Sequence, residues 1–274
     1  MVIEADIVVA SYKPGDPEKL GVSYEQLSAI NPGLIYGHIT GYGSDDPRVG
    51  YDAVLQAEAG FMSMNGEKEG SPLKMPVALV DVLAAHHLKQ GLLLALINRM
   101  NTGEGSYVTI SLIDAAVSSL ANQGTNWLVG GKVPGRKGNQ HPNIAPYGDV
   151  FTTEDGAHII LAVGSDKQFN SLCKVLGVER DDRFTTNTRR VENREPLIQA
   201  LEEKIKLWST EDLLSVFAEK SIPAGKVKSI DEVMDQNKAQ WFLDAESTGV
   251  RTLMALPDFL EPLNLSPPPQ LGGE

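Results

Sequence analysis

Asp81 is the ionisable residue whose setting is best suited to chemistry. It follows the apolar Val77 to Val80 and precedes a long helical pattern from Val82 to about Met100. One reading makes it an N-cap that bonds the first helical N–H groups. A second makes it a nucleophile, since a positioned carboxylate can form a covalent acyl intermediate. The two are compatible, because a helix N-terminus favours the anion. The other candidates are weaker. His86 and His87 are adjacent on a helix, about 100° apart, so they share a metal poorly, and one is expected packed and one solvated. Cys173 lies in an apolar pattern with Leu172 and Leu176 and reads as a core thiol. Gly41-x-Gly43 follows a strand, but Asp46 replaces the third glycine of the dinucleotide fingerprint. The sequence has no Cys-x-x-Cys, His-Glu-x-x-His, Walker lysine or Gly-x-Ser-x-Gly, so it offers no metal motif and no serine elbow.

The elements that must position Asp81 follow an α/β pattern. Ile7 to Ala10 is an apolar run of buried parallel-strand type, broken by Pro14-Gly15. Ser23 and Gln26 have capping-box spacing, and Asn31-Pro32-Gly33 stops the helix they open. Leu34 to Thr40 reads as the next strand. Helical spacing covers Asp52 to Met64, Val82 to Met100 and Ala115 to Leu128, with a strand at Tyr107 to Leu112. Gly130 to Gly138 belongs to a loop rich in Gly, Pro and basic residues, and His141 beside it has no assigned role. Composition then changes. Asp149 to Ala162 predicts a hairpin turning at Asp155-Gly156. Helices are expected near Lys167–Leu176, Arg194–Trp208, Thr210–Lys220 and Val227–Gln240, and then a proline-rich tail. The expected division is 1–147 for a large domain, 148–240 for a smaller α+β domain, and 241–274 for a segment returning to the large one.

Bulk properties exclude some classes. The 274 residues carry a formal net charge of −12, a field that repels phosphate backbones, so nucleic acid is not an expected partner. No continuous apolar run approaches the roughly 20 residues that span a bilayer, and no membrane partner is expected. One cysteine rules out an internal disulfide framework and fits a reducing compartment, so the expected location is cytoplasmic. An anionic ligand would need local cations, backbone N–H groups or helix N-termini.

The runs ADIVVASYKPG, NPGLIYGHITGYG, GYDAVLQAEAG, PVALVDVLAA and NTGEGSYVTISLIDA, with GNQHPNIAPYGDVFTTEDG and LAVGSDKQFNSLCKVLG beyond them, occur in one order along nearly the whole chain. Together they resemble the class III CoA-transferases (CaiB/BaiF type), in overall look those acting on dicarboxylates such as succinate or glutarate. The resemblance implies a partial Rossmann-like large domain, a smaller α+β domain and an interlocked homodimer. It puts the nucleophile at Asp81, and the CoA-contacting segments at Ser11, Tyr12, Lys13 and Lys19 and at Val49, Gly50, Tyr51 and Asp52. Coenzyme A and acyl-CoA enter as substrates, with a small carboxylic acid as acceptor and no resident cofactor. The glycine-containing loop at Gly130–Gly138 matches one that covers the aspartate in relatives.

Relatives carry further N-terminal strands and a last helix, so the chain is expected to be shorter than family members at both ends. The racemase branch has a histidine where Tyr51 stands. Tyrosine is a poor general base at neutral pH, which favours CoA transfer over racemisation. A 2-methylacyl-CoA racemase-like member and a non-catalytic CoA-binding or dimerising fragment stand as the alternatives.

Overall fold

A run of β-branched residues bounded by turn formers becomes strand β1 (Ile7–Ala10), after which Pro17 sits in the first turn of α1 (Asp16–Leu20). The capping box forms as its spacing predicts. Ser23 Oγ accepts from Gln26 N–H and Gln26 Oε1 accepts from Ser23 N–H, opening α2 (Tyr24–Ser28). Then come β2 (Ile35–Thr40), α3 (Asp52–Glu58), α4 (Phe61–Met64), α5 (Leu79–Thr102), β3 (Ser106–Ser111), α6 (Leu112–Ser118) and α7 (Ala121–Leu128). This computed structural model describes residues 1–236, 242–245 and 250–253. The chain divides into two units, Met1–Pro142 and Asn143–Glu274.

In the first unit three parallel strands lie in the order β1-β2-β3, with Ile7 opposite Ile35 and Ile35 opposite Ser106. The middle strand is buried almost throughout, as a parallel strand covered on both faces must be. Helix α5 lies on this sheet, and glycines permit the close approach. A Cβ on Gly91 would stand 2.6 Å from Val108 Cγ1, and one on Gly37 would stand 3.0 Å from Leu92 Cδ2. Leu55, Val80, Ala84, Leu112 and Ala115 form the core that joins α3, α5 and α6.

Two expectations are corrected here. The helical spacing over 52–64 is two helices, because Gly60 takes a left-handed φ of +87° between them. The spacing over 115–128 also breaks, at Ser119–Leu120. There the Ser118 and Ser119 hydroxyls donate to the Ala115 carbonyl at 3.0 and 2.7 Å, competing with the main-chain ladder. By length and composition alone the 24-residue α5 would also suffice to cross a membrane, a test that the core helix of a globular domain passes as well. Its sequence still holds no unbroken apolar run of that length, because His86, His87, Lys89 and Gln90 interrupt the pattern.

In the second unit β4 (Tyr147–Thr152) and β5 (His158–Ala162) form the expected hairpin, pairing Thr152 with His158 across a turn in which Gly156 has φ +76°. Helices α8 (Asp166–Leu176), α9 (Asn187–Glu192), α10 (Arg194–Ile205) and α11 (Thr210–Glu219) follow. Next come β6 (Ala224–Lys226), α12 (Ile230–Gln236), β7 (Phe242–Ala245) and β8 (Val250–Leu253). The sheet order is β4-β5-β6, all antiparallel, and β7 pairs with β8. Phe151, Ile159, Leu161, Leu172, Leu197 and Phe217 build its core. Helix α9 and strand β6 were not foreseen from the sequence pattern. Apart from β7 and β8, the expected return segment at 241–274 lies outside the described residues, as does 237–240 of the expected last helix.

Candidate functional site

Asp81 is the third residue of α5, and its N-cap is Ala78, which has no side chain to cap with. The N-cap reading of Asp81 is therefore corrected. The cap comes from another helix: Asp52, in the first turn of α3, accepts the Val80 N–H on Oδ1 at 2.9 Å. Its Oδ2 accepts from Gln56 Nε2 at 2.8 Å. Gln56 is fully buried and bonds the loop ahead of α5, taking the Met75 N–H on Oε1 at 2.8 Å. An acid 29 residues upstream thus fixes the helix end that carries Asp81.

Asp81 itself is exposed, and its carboxylate has no hydrogen-bond partner among the described residues. Partial desolvation raises its pKa above the ordinary aspartate value, and the neighbouring Asp52 charge raises it further. The expectation that the helix end would hold the anion down is corrected with it, since the Asp52 carboxylate occupies the first-turn donor and repels Asp81. A carboxylate of raised basicity with free lone pairs is, in its ionised form, chemically suited to act as a nucleophile.

The segments matched to CoA contacts fall into two groups. Ser11, Tyr12 and Lys13 follow the carboxyl end of β1, where ligands of parallel sheets bind. The Tyr12 carbonyl lies 3.1 Å from His38 Nε2, and the buried His38 has its Nδ1 2.7 Å from the Tyr107 hydroxyl. A carbonyl can only accept, so Nε2 donates to it, while the phenol, which can donate or accept, meets Nδ1. A cavity of about 380 Å³ opens here between Pro14, Glu18, Tyr24, Tyr36, His38 and Tyr107. Lys19 projects into solvent and pairs with Asp16 at 3.5 Å, so part of its charge is already met.

The second group sits at the start of α3. Gly41 and Gly50 stand back to back: a Cβ on Gly50 would fall 2.5 Å from Gly41 Cα. That contact seats the Val49–Asp52 turn on the end of β2. Val49 and Tyr51 are exposed, and Tyr51 holds the N-cap position of α3 without a side-chain cap bond. Of the residues matched to CoA contacts, Asp52 alone bonds the Asp81 turn. The Gly130–Gly138 loop ends against the 66–73 loop, where Gly138 N–H donates to Gly66 carbonyl at 2.9 Å, and it makes no hydrogen bond to Asp81 among the described residues.

Of the paired histidines, His86 is exposed, while His87 is half-buried with Nε2 3.4 Å from Ser118 Oγ. Burial pushes the Cys173 thiol up to about 11, the behaviour of a packed thiol. Gln56 was missed by sequence reasoning. Its signal was a polar residue at i+4 from Asp52, on the helix face otherwise carried by Leu55 and Ala59.

Comparison with known proteins agrees with this frame. The profile of CoA-transferase family III matches residues 1–273. The chain belongs to that family. It is 39% identical over 246 residues to a succinate–glutarate CoA-transferase of Agrobacterium fabrum, covering 88% of this chain and 61% of that protein. It is 33% identical over 234 residues to the human succinyl-CoA:glutarate CoA-transferase, covering 83% of this chain and 53% of that one. The crystal structure of a CaiB/BaiF family protein from Brucella suis superposes with a TM-score of 0.80 at 40% identity, over 94% of this chain and 70% of that one. The chain thus spans between about half and three-fifths of the length of these curated relatives.

Proposed function

We propose that this chain carries the nucleophilic half of a CoA-transferase that moves coenzyme A from an acyl-CoA donor to a carboxylic acid acceptor, with dicarboxylates as the substrate class. The observation that carries the proposal is Asp81: exposed, free of hydrogen bonds among the described residues and raised in basicity, on the first turn of a helix whose end is fixed by Asp52. Relatives named for succinyl-CoA, glutarate and mesaconate supply the substrate class.

In the proposed cycle the Asp81 carboxylate attacks the donor thioester carbonyl, the C–S bond breaks, and an acyl-aspartyl anhydride and CoA thiolate result. The thiolate then attacks the aspartyl carbonyl of the anhydride and expels the donor acid, leaving an aspartyl-CoA thioester. The acceptor carboxylate attacks that thioester, forming a second anhydride and freeing the thiolate again. Attack of the thiolate on the acceptor's acyl carbon releases the new acyl-CoA and restores Asp81. Every step exchanges one activated acyl bond for another, so water must be kept away from the anhydrides. Ser11, Tyr12, Lys13 and Lys19, with Val49 to Asp52, are the proposed CoA contacts. A homodimer is part of the proposal, to be read by light scattering.

The test is the intact mass of the chain after mixing with succinyl-CoA, with and without hydroxylamine, beside Asp81→Ala. A hydroxylamine-sensitive adduct that disappears in the variant supports the nucleophile. A folded chain that stays unmodified with succinyl-CoA, glutaryl-CoA and acetyl-CoA alike argues for a CoA-binding part without chemistry of its own.

A further inference from the structure

We infer that Gln56 is a positioning residue for Asp81: it holds the Asp52 carboxylate and the Met75–Val77 segment, so that the nucleophile is presented at a fixed place beside a fixed negative charge. The inference rests on reading Asp81 as the nucleophile. Gln56 is fully buried, and a carboxamide is costly there unless its polar atoms are bonded. Its oxygen accepts the Met75 N–H at 2.8 Å. Its nitrogen donates to Asp52 Oδ2 at 2.8 Å and, less closely, to the carbonyls of Val77 at 3.3 Å and Met75 at 3.4 Å. One side chain therefore performs the pairing that a neighbouring strand would give to the loop ahead of α5.

The consequence runs directly to Asp81. Asp52 is held on one oxygen by Gln56 and on the other by the Val80 N–H, so it cannot turn away from the α5 end. Val80 is itself fully buried, and the next residue is Asp81. The Asp52 charge acts on Asp81 from this clamped position. Removing the Gln56 amide takes away one of the two holds on Asp52, leaving the Val80 N–H, and leaves the Met75 N–H without its acceptor. The α5 start and the charge beside it both lose definition. A residue that merely filled space would change stability alone. A positioning residue also changes what Asp81 does in molecules that are folded.

The experiment compares the unaltered chain with Gln56→Met, Gln56→Glu and Asp52→Asn, each verified as folded by circular dichroism. Two readouts are taken: the rate of formation of the hydroxylamine-sensitive adduct against succinyl-CoA concentration, and the titration midpoint of Asp81 followed by carboxyl ¹³C NMR, assigned with Asp81→Asn. Gln56→Met is expected to slow the maximal adduct rate by about 10- to 100-fold, with the half-saturating donor concentration nearly unchanged, as for a reacting group misplaced by about an ångström. Its Asp81 midpoint is expected to move down, in the direction of Asp52→Asn, because one hold on the Asp52 charge is lost. Gln56→Glu keeps the acceptor for Met75 but faces Asp52 with a second carboxylate; it is expected to be slow as well, which covers the case of Gln56→Met failing to fold. A folded Gln56 variant that forms the adduct at the unaltered rate, with the Asp81 midpoint in place, overturns the inference. An unaltered chain that forms no adduct brings down the nucleophile reading separately. The midpoint then still decides whether Gln56 governs Asp81.

Discussion

At the scale of single residues, the Asp81 carboxylate opposes folding. Its pKa is raised in the fold by desolvation and then by Asp52, so the folded chain binds this proton more tightly than the unfolded one. The cost of ionising it is therefore absent below the ordinary aspartate range, grows as pH rises through the folded pKa, and is constant above. Asp81→Asn removes that cost. It is expected to raise the melting temperature at pH 7 by roughly 1–2 °C, the size of a solvent-screened charge effect, while abolishing the adduct. The gain should vanish near pH 3; a gain that persisted there would have to come from something other than the charge. Asp149 shows the opposite case. It is buried with Arg194, which donates from Nε to Oδ1 at 3.1 Å and from Nη2 to Oδ2 at 2.7 Å. Arg194→Met leaves a buried carboxylate without its cation, with the Tyr147 N–H still donating to Oδ2 at 3.1 Å, and is expected to cost about 3–5 kcal/mol by urea denaturation, whereas Asp149→Leu with Arg194→Met should recover most of that loss.

Between elements the decisive contacts are close approaches, and those test the packing of α5 on the sheet. Gly91→Ala gains about 1 kcal/mol of helix propensity but sets a Cβ 2.6 Å from Val108 Cγ1. Overpacking of a stiff β-branched neighbour costs about 1–3 kcal/mol, so the variant is expected to be net destabilised. Adding Val108→Ala should turn the Gly91→Ala substitution stabilising, and a double-mutant cycle in thermal melts reads the coupling. The same scale explains what was legible in the sequence. Strands β1, β2 and β3 and the Ser23 capping box depend on neighbours a few residues apart, and their patterns announce them. The position of Asp81 was also legible, as the acid between an apolar run and a helix. Its role at the helix end was not. The only acid near residue 78 is Asp81, so local spacing assigns it the cap, while the true cap arrives from Asp52 through a tertiary contact. Gln56 was hidden for the same reason, since its partners Met75 and Val77 lie in a loop with no periodicity of its own. The break at Ser119–Leu120 was hidden because the sequence there keeps helical spacing while two serine hydroxyls compete for one carbonyl.

Across the whole molecule, charge sets a conflict for an anionic donor. The chain carries −12, and that field acts on CoA over a Debye length of about 10 Å at 0.1 M salt. Against it stand Lys13 and Lys19, and Lys19 is already paired with Asp16. Asp45 and Glu18 also border the cavity near Tyr12. In the proposed CoA site local attraction thus rests chiefly on Lys13 and on backbone N–H groups, and those are short-ranged. The long-range repulsion is therefore expected to dominate the encounter, while the short-range contacts set how long the donor stays. Raising salt from about 20 mM to 200 mM should increase the second-order rate of adduct formation with succinyl-CoA, in contrast to the fall seen when a basic site steers an anion. Stopped-flow or quenched mass spectrometry across that range gives the slope. A rate that falls with salt would mean that the lysines at the end of β1 outweigh the net charge, and Lys13→Gln should then remove most of the slope.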